Sequence, residues 1–201
     1  NVSKFFLGKS NIIRLKGKVV KGFGKGSSEL GIPTANLDCF QSPDKQSLNK
    51  LGTGIYFGWA GLYDKVYKTV MSVGFNPFYK RSKITVEPHL LHTFKNDFYG
   101  APLKLVVTGY LRPEANFSSL EALIKAINAD IDAGSAALDT SPFKEYKSDS
   151  FFDDGFHNTT TVFDVVYDDK DGESSADTTT TGAQDKSNKD TENGSSSETD
   201  K

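Results

Sequence analysis

The 201-residue sequence predicts a mainly β domain, an antiparallel sheet that curls or closes into a small barrel, with one C-terminal helix packed on it. Three observations carry this reading. About six short runs rich in β-branched and aromatic residues are separated by turn signals. One segment alone shows helical periodicity. Residues 168–201 contain no aromatic residue and no Val, Ile, Leu or Met. The organisation expected is an N-terminal extension at 1–13, the domain at 14–167 and a disordered acidic Ser/Thr-rich tail at 168–201, because such a tail cannot bury enough apolar surface to offset its ordering entropy.

Residues 14–21 alternate, with Leu15, Gly17 and Val19 against Arg14, Lys16 and Lys18, the period of a half-buried strand. Pro33 stops any helix, and 34–37 reads as a short extended segment on which Thr34 and Asn36 share a face. Residues 40–52 read as a surface loop. Residues 54–63 and 66–73 form a hairpin joined by Asp64-Lys65, in which Tyr56 and Trp59 pack. Asn76-Pro77 is a turn. Residues 84–94 are strand-like, and Pro88 favours an edge position or a bulge. Residues 103–111 form the last strand.

Ser118 with Glu121 three positions on is a capping-box signature, and Leu120, Leu123, Ile124, Ile127 and Ile131 follow at helical spacing. That stripe covers one side of the barrel. Aromatic and Val residues in 143–167 suggest an irregular segment that docks back before the tail.

Of the net charge of −2, the tail holds ten acids against four lysines and so carries −6, leaving +4 on the other 167 residues. A mildly basic domain suits a small anionic ligand and is too weakly charged to argue for nucleic acid. The lone Cys39 can form no intramolecular disulfide and supplies no zinc site, which points to a reducing, cytoplasmic compartment, with a mitochondrial or other organellar form as the alternative. No apolar run reaches membrane-spanning length, so no membrane partner is expected. A monomer is expected. Asn116-Phe117-Ser118 matches a glycosylation sequon by chance in an intracellular protein.

Gly22, Gly24, Gly26 and Gly31 crowd into ten residues, with Lys21 and Lys25 nearby. Such a run either lets backbone N–H groups approach an anion or is a plain hairpin connection. The order of residues after Gly26 fails the Walker pattern, and Pro33 removes the helix that a dinucleotide fingerprint requires. A β-to-β phosphate loop survives both tests.

Gly22-Phe23-Gly24-Lys25-Gly26-Ser27 with Leu30-Gly31-Ile32-Pro33-Thr34-Ala35-Asn36 resembles the nucleotide loop and Pro-Thr-Ala-Asn motif of riboflavin kinases. Gly54-Ile55-Tyr56, Ser72-Val73-Gly74 with Asn76-Pro77, Glu87-Pro88-His89 with His92-Thr93-Phe94, Asp97-Phe98-Tyr99-Gly100 and Gly109-Tyr110-Leu111-Arg112-Pro113-Glu114 agree in order. The resemblance, over about 15–139, implies a six-stranded Greek-key barrel of the monofunctional eukaryotic type and transfer of the ATP γ-phosphoryl to the riboflavin 5′-hydroxyl, giving FMN and ADP.

It further implies roles. Gly22, Gly24, Lys25, Gly26 and Ser28 would hold nucleotide phosphates, and Thr34 and Asn36 would bind both nucleotide and metal, Mg²⁺ with Mn²⁺ or Zn²⁺ as alternatives. Leu90, His92 and Tyr99 match further nucleotide contacts, and Arg112, Ala115 and Phe117 match the flavin loop. Ala115 departs from the Lys of some relatives, so a contact there must be backbone or apolar. Glu87 matches the general base, against the plainer reading of a strand Glu paired with a lysine. His89 and His92 lack a third ligand of the right type for zinc, and a histidine beside a strand is more often a hydrogen-bonded structural group. The few residues before Leu15 leave no room for an adenylyltransferase domain, so FAD synthesis is not expected. Two other classes compete: an FMN-binding barrel or flavin oxidoreductase without kinase activity, and a scaffold barrel.

Overall fold

The computed structural model describes residues 7–22, 31–39, 51–75 and 84–153. Strands β1 (Ile13–Val20), β2 (Asn36–Asp38), β3 (Gly54–Leu62), β4 (Lys65–Phe75), β5 (Ile84–Leu90) and β6 (Pro102–Arg112) precede helix α1 (Leu120–Leu138). The strands close into an antiparallel barrel in the order β1-β2-β5-β4-β3-β6, with β6 returning to β1 from Ile13 opposite Val107 to Lys18 opposite Pro102. Closure gives each of these six strands a neighbour on both sides, with the three-residue β2 as the thinnest part of the wall.

Period-two alternation sends Leu15, Leu37, Met71, Val73, Val86, Leu103, Leu105 and Val107 into the barrel. A second cluster lies outside the wall, where Phe57, Trp59 and Val70 meet Ala137 and Leu138 of α1 and Phe143. Strand β3 is therefore buried on both faces, and each fully buried Phe or Leu there contributes about 1.5–3 kcal/mol. The Trp59 indole N–H donates to the Phe143 carbonyl at 2.8 Å, and the Phe57 and Phe143 rings meet edge to face at 5.0 Å.

Several expected details shift. The β3–β4 hairpin turns at Tyr63-Asp64, one residue early, because Tyr63 takes φ 55°, a left-handed conformation that its aromatic side chain does not advertise. Pro88 lies at neither an edge nor a bulge but in a strand paired on both sides. Its carbonyl accepts from the Ala35 N–H at 2.8 Å, so its missing donor falls toward the short β2 and not toward the ladder with β4. The helix is capped by Ser119, not Ser118, the hydroxyl accepting from the Ala122 N–H at 3.1 Å. The buried face of α1 is Asp130, Gly134, Ala137 and Leu138, whereas Leu120 is exposed and Leu123, Ile124, Ile127 and Ile131 are half-buried. The helix thus packs by its C-terminal half.

After α1, Phe143–Ser148 and Ser150–Phe152 form two 3₁₀ turns that dock on the barrel. The Arg14 Nε and Nη2 donate to the two Asp149 carboxylate oxygens, and Lys104 donates to the Phe151 carbonyl at 2.8 Å. Burial pushes the Asp149 carboxyl up, but the Arg14 and Phe151 hydrogen bonds outweigh it and hold the group below its ordinary value. The 76–79 turn, most of the 40–52 loop, the docking segment beyond 153 and the tail lie outside the described residues, as do Gly24, Lys25, Gly26 and Ser28. Leu51, at the end of that expected surface loop, is buried in the barrel core. No helix among the described residues is long and apolar enough to cross a membrane.

Candidate active site

Strand β1 runs into Gly22, and the chain returns through Gly31, at φ 74°, into the Pro33–Thr34–Ala35 approach to β2. Asn36 pairs with Val20, which brings its side chain back against Gly22. A Cβ at Gly22 would stand 2.5 Å from the Asn36 Nδ2, so glycine at this position leaves room for the amide at the mouth of the glycine run. Ile32 and Ala35 are buried and anchor the segment, and Thr34 between them is half-buried.

Thr34 lines a cleft of about 150 Å³ at one end of the barrel. Its floor is Val19, Ala35, Pro88 and Leu90, and its far wall is the 92–99 loop. That loop is shaped by rings: Tyr67, His92, Phe94 and Phe98 contact one another at centroid distances of 4.8–5.4 Å. Gly100, at φ 81°, donates to the Val19 carbonyl at 2.7 Å and leaves Tyr99 exposed at the rim. Thr34, Leu90, His92 and Tyr99, four of the residues proposed from sequence, therefore share one concavity with apolar walls and a polar mouth.

Glu87 faces the other way. Val86 and Leu90 enter the barrel core, so alternation turns Thr85, Glu87 and His89 to the outer wall. There Glu87 stands opposite Ser72, Ser72 opposite Ile55, and Ile55 opposite Arg112, one continuous row across four strands. Three interstrand spacings separate its ends, about 14 Å along the sheet. Arg112 joins the row because of a bulge: Tyr110 packs inward, and the register shift between Ile55 and Tyr56 skips Leu111, so Arg112 turns outward.

Burial raises the Glu87 pKa, and the charge of Glu114 raises it further. The Glu114 carboxylate lies where a side chain at Gly74 would be, beside Ser72 and Thr85. The Arg112 guanidinium grips Asp130 of α1 with Nε at 3.0 and 3.1 Å and Nη2 at 2.7 Å, donates to the Pro113 carbonyl at 3.0 Å, and sits 5.6 Å from the Phe117 ring. Ala115 is exposed between them in sequence.

Glu114 and Asp130 were not singled out by sequence reasoning. Asp130 had a readable signal, since Leu123, Ile127, Asp130, Gly134 and Ala137 recur at helical spacing and an acid on that face needs a partner. Among the described residues no three His, Cys, Asp or Glu side chains form a metal cluster. His89 Nδ1 instead lies 2.7 Å from the Pro33 carbonyl.

A family model described as Flavokinase: Riboflavin kinase matches residues 10–138. The chain is 50% identical over 136 residues to the bifunctional riboflavin kinase/FMN phosphatase of Arabidopsis thaliana, covering 67% of this chain and 35% of that protein, so it spans about a third of that relative's length. It is 48% identical over 141 residues to the riboflavin kinase of Homo sapiens, covering 68% of this chain and 88% of that protein. Its fold is similar to the crystal structure of riboflavin kinase from Trypanosoma brucei, with a TM-score of 0.58 at 29% identity over 77% of this chain and 96% of that one. The matched span runs through all six strands to the last turn of α1, and the chain belongs to the riboflavin kinase family.

Proposed function

We propose that this chain transfers the γ-phosphoryl group of ATP to the 5′-hydroxyl of riboflavin, making FMN and ADP. The observation that carries the reading is the two-sidedness of β5. Pro88 and Leu90 floor the cleft on one face, while Glu87 and the row ending at Arg112 occupy the other. Asn36, which alternates with the core-facing Leu37 opposite Val86, turns to the same outer face as Glu87, so in this reading the phosphate end of a nucleotide in the cleft meets the acceptor on one side of the wall, and such positioning is most of what phosphoryl transfer asks of a protein.

In this reading ATP enters the cleft, with Leu90, His92 and Tyr99 against the nucleoside and Gly22, Gly24, Lys25, Gly26 and Ser28 around the phosphates. Thr34 and Asn36 offer a hydroxyl and an amide oxygen, hard neutral donors that fit Mg²⁺ or Mn²⁺ better than Zn²⁺. When bound, the metal neutralises phosphate charge. Phe117 and Arg112 flank the flavin, and Ala115 adds backbone or apolar contact. The ribityl chain extends along the row toward Glu87, whose carboxylate accepts the 5′-hydroxyl proton as the oxygen bonds to γ-phosphorus and the bond from γ-phosphorus to the ADP oxygen breaks. A raised pKa makes Glu87 a stronger base than a surface carboxylate.

Incubation with riboflavin, ATP and Mg²⁺, followed by chromatography of the flavins, tests the proposal. FMN formed in equal amount with ADP is expected; riboflavin recovered unchanged would refute it.

A further inference from the structure

Leu37 opposite Val86 is the single register pair between β2 and β5. Continuing that register by two residues puts Ala35 opposite Pro88. Of the two backbone bonds such a pair exchanges, only the one from the Ala35 N–H to the Pro88 carbonyl, 2.8 Å, can form, because Pro88 has no N–H. Two residues further on the approach to β2, Pro33 also has no N–H to give. Two prolines thus strip the ladder where the chain carries Thr34 past β5, and the β1 pairing begins only at Asn36.

A side chain stands in. His89 Nδ1 lies 2.7 Å from the Pro33 carbonyl. A carbonyl oxygen only accepts, so Nδ1 is the protonated nitrogen. Thr34 therefore lies between two residues held to β5, Pro33 by the imidazole and Ala35 by the backbone. His89 also shares the outer face of β5 with Glu87, two residues away.

We propose that His89 is a positioning residue: its Nδ1–H holds the Pro33 carbonyl and thereby sets Thr34 and Asn36 for the metal–nucleotide pair, on the same strand that carries Glu87. The role assigned to Thr34 and Asn36 rests on the function proposed above. A bond that orients a ligand segment without touching the ligand typically changes affinity by about tenfold when removed.

The test uses His89→Ala, His89→Asn and His89→Gln. The Asn amide nitrogen occupies nearly the place of Nδ1, whereas the Gln amide reaches toward Nε2. Expected for His89→Ala and His89→Gln is about a tenfold rise in the Kd of Mg·ADP by calorimetry and in the KM for ATP, with the riboflavin KM within about twofold. His89→Asn should recover most of both, and ¹⁵N NMR of the ligand-free protein should show Nδ1 protonated. Equal behaviour of the Asn and Gln variants, an unchanged Kd in His89→Ala, or an imidazole protonated at Nε2 alone would overturn the proposal. Calorimetry and NMR need no turnover, so a wild-type protein that binds Mg·ADP but makes no FMN refutes the kinase reading alone.

Discussion

Glu114 and Glu87 place two carboxylates on one patch of the outer wall, Glu114 over Gly74 of β4 and Glu87 opposite Ser72 of the same strand. After burial, the charge of Glu114 is the second cause that lifts the Glu87 pKa. Glu114→Gln removes only that second cause. With Glu87 as the proposed base, the acid limb of the kcat/KM profile should move to lower pH while staying above the range of an ordinary glutamate. Glu114 is solvent-exposed, so the gap between variant and wild type should narrow in high salt. A limb that does not move would mean the two carboxylates are uncoupled.

Glu87→Gln separates catalysis from stability. A carboxylate whose folded pKa is raised stabilises the fold fully only below its unfolded value, about 4.3, and that contribution is lost as pH rises through the folded value. Once ionised, the half-buried Glu87 is thus a burden that Gln does not carry. Urea midpoints should be equal to or higher than wild type at pH 7 and converge toward pH 4, while FMN formation falls about 10²- to 10⁴-fold. A variant both inactive and less stable at neutral pH would instead mark Glu87 as a structural partner.

Arg112 and Asp130 tie the loop after β6 to α1, with side chains 27% and 12% exposed. Asp130→Asn leaves the guanidinium without its charge partner and should cost about 2 kcal/mol in urea unfolding. It should also raise the KM for riboflavin, since Phe117 and Arg112 lose their shared anchor. Combining Arg112→Met with Asp130→Leu should regain much of the stability and none of the riboflavin affinity. A single variant as stable as wild type would show the pair contributes nothing to folding.

The strands were legible because half-buried walls alternate, as residues 14–21 do, and because turn residues punctuate them. The helix was legible in kind but not in register. Its most apolar positions, Leu120 to Ile131, are exposed or half-buried, while small residues, Gly134 and Ala137, make the close contact. Tight approach needs little side chain: a Cβ at Gly134 would stand 2.7 Å from Val70 Cγ2. Thr34, Leu90, His92 and Tyr99 were read from motifs, and no spacing along the chain could have shown that they line one cleft, because β2 meets β5 only through closure of the barrel. The outward turn of Arg112 was invisible for a related reason, since it depends on a bulge that shows no signature in Tyr110-Leu111-Arg112. His89 was read as a hydrogen-bonded group, and its partner, 56 positions away, was not.

Gly22→Ala asks whether the glycine run begins with a packing need or a conformational one. Gly22 does not adopt a positive φ, so alanine there meets no backbone strain. What it meets is the Asn36 amide, 2.5 Å from the new Cβ, and that amide is the free end of a side chain able to rotate away. The fold should therefore lose no more than about 1 kcal/mol, the scale of an ordinary substitution. The site should lose more, because the rotation moves an oxygen proposed to face the metal. Calorimetry with Mg·ADP should show weaker binding, with the riboflavin KM little changed and the thermal midpoint near that of wild type. Should the midpoint fall steeply while binding by the folded fraction stays intact, the Gly22–Asn36 contact would belong to the architecture of the barrel and not to the proposed nucleotide site.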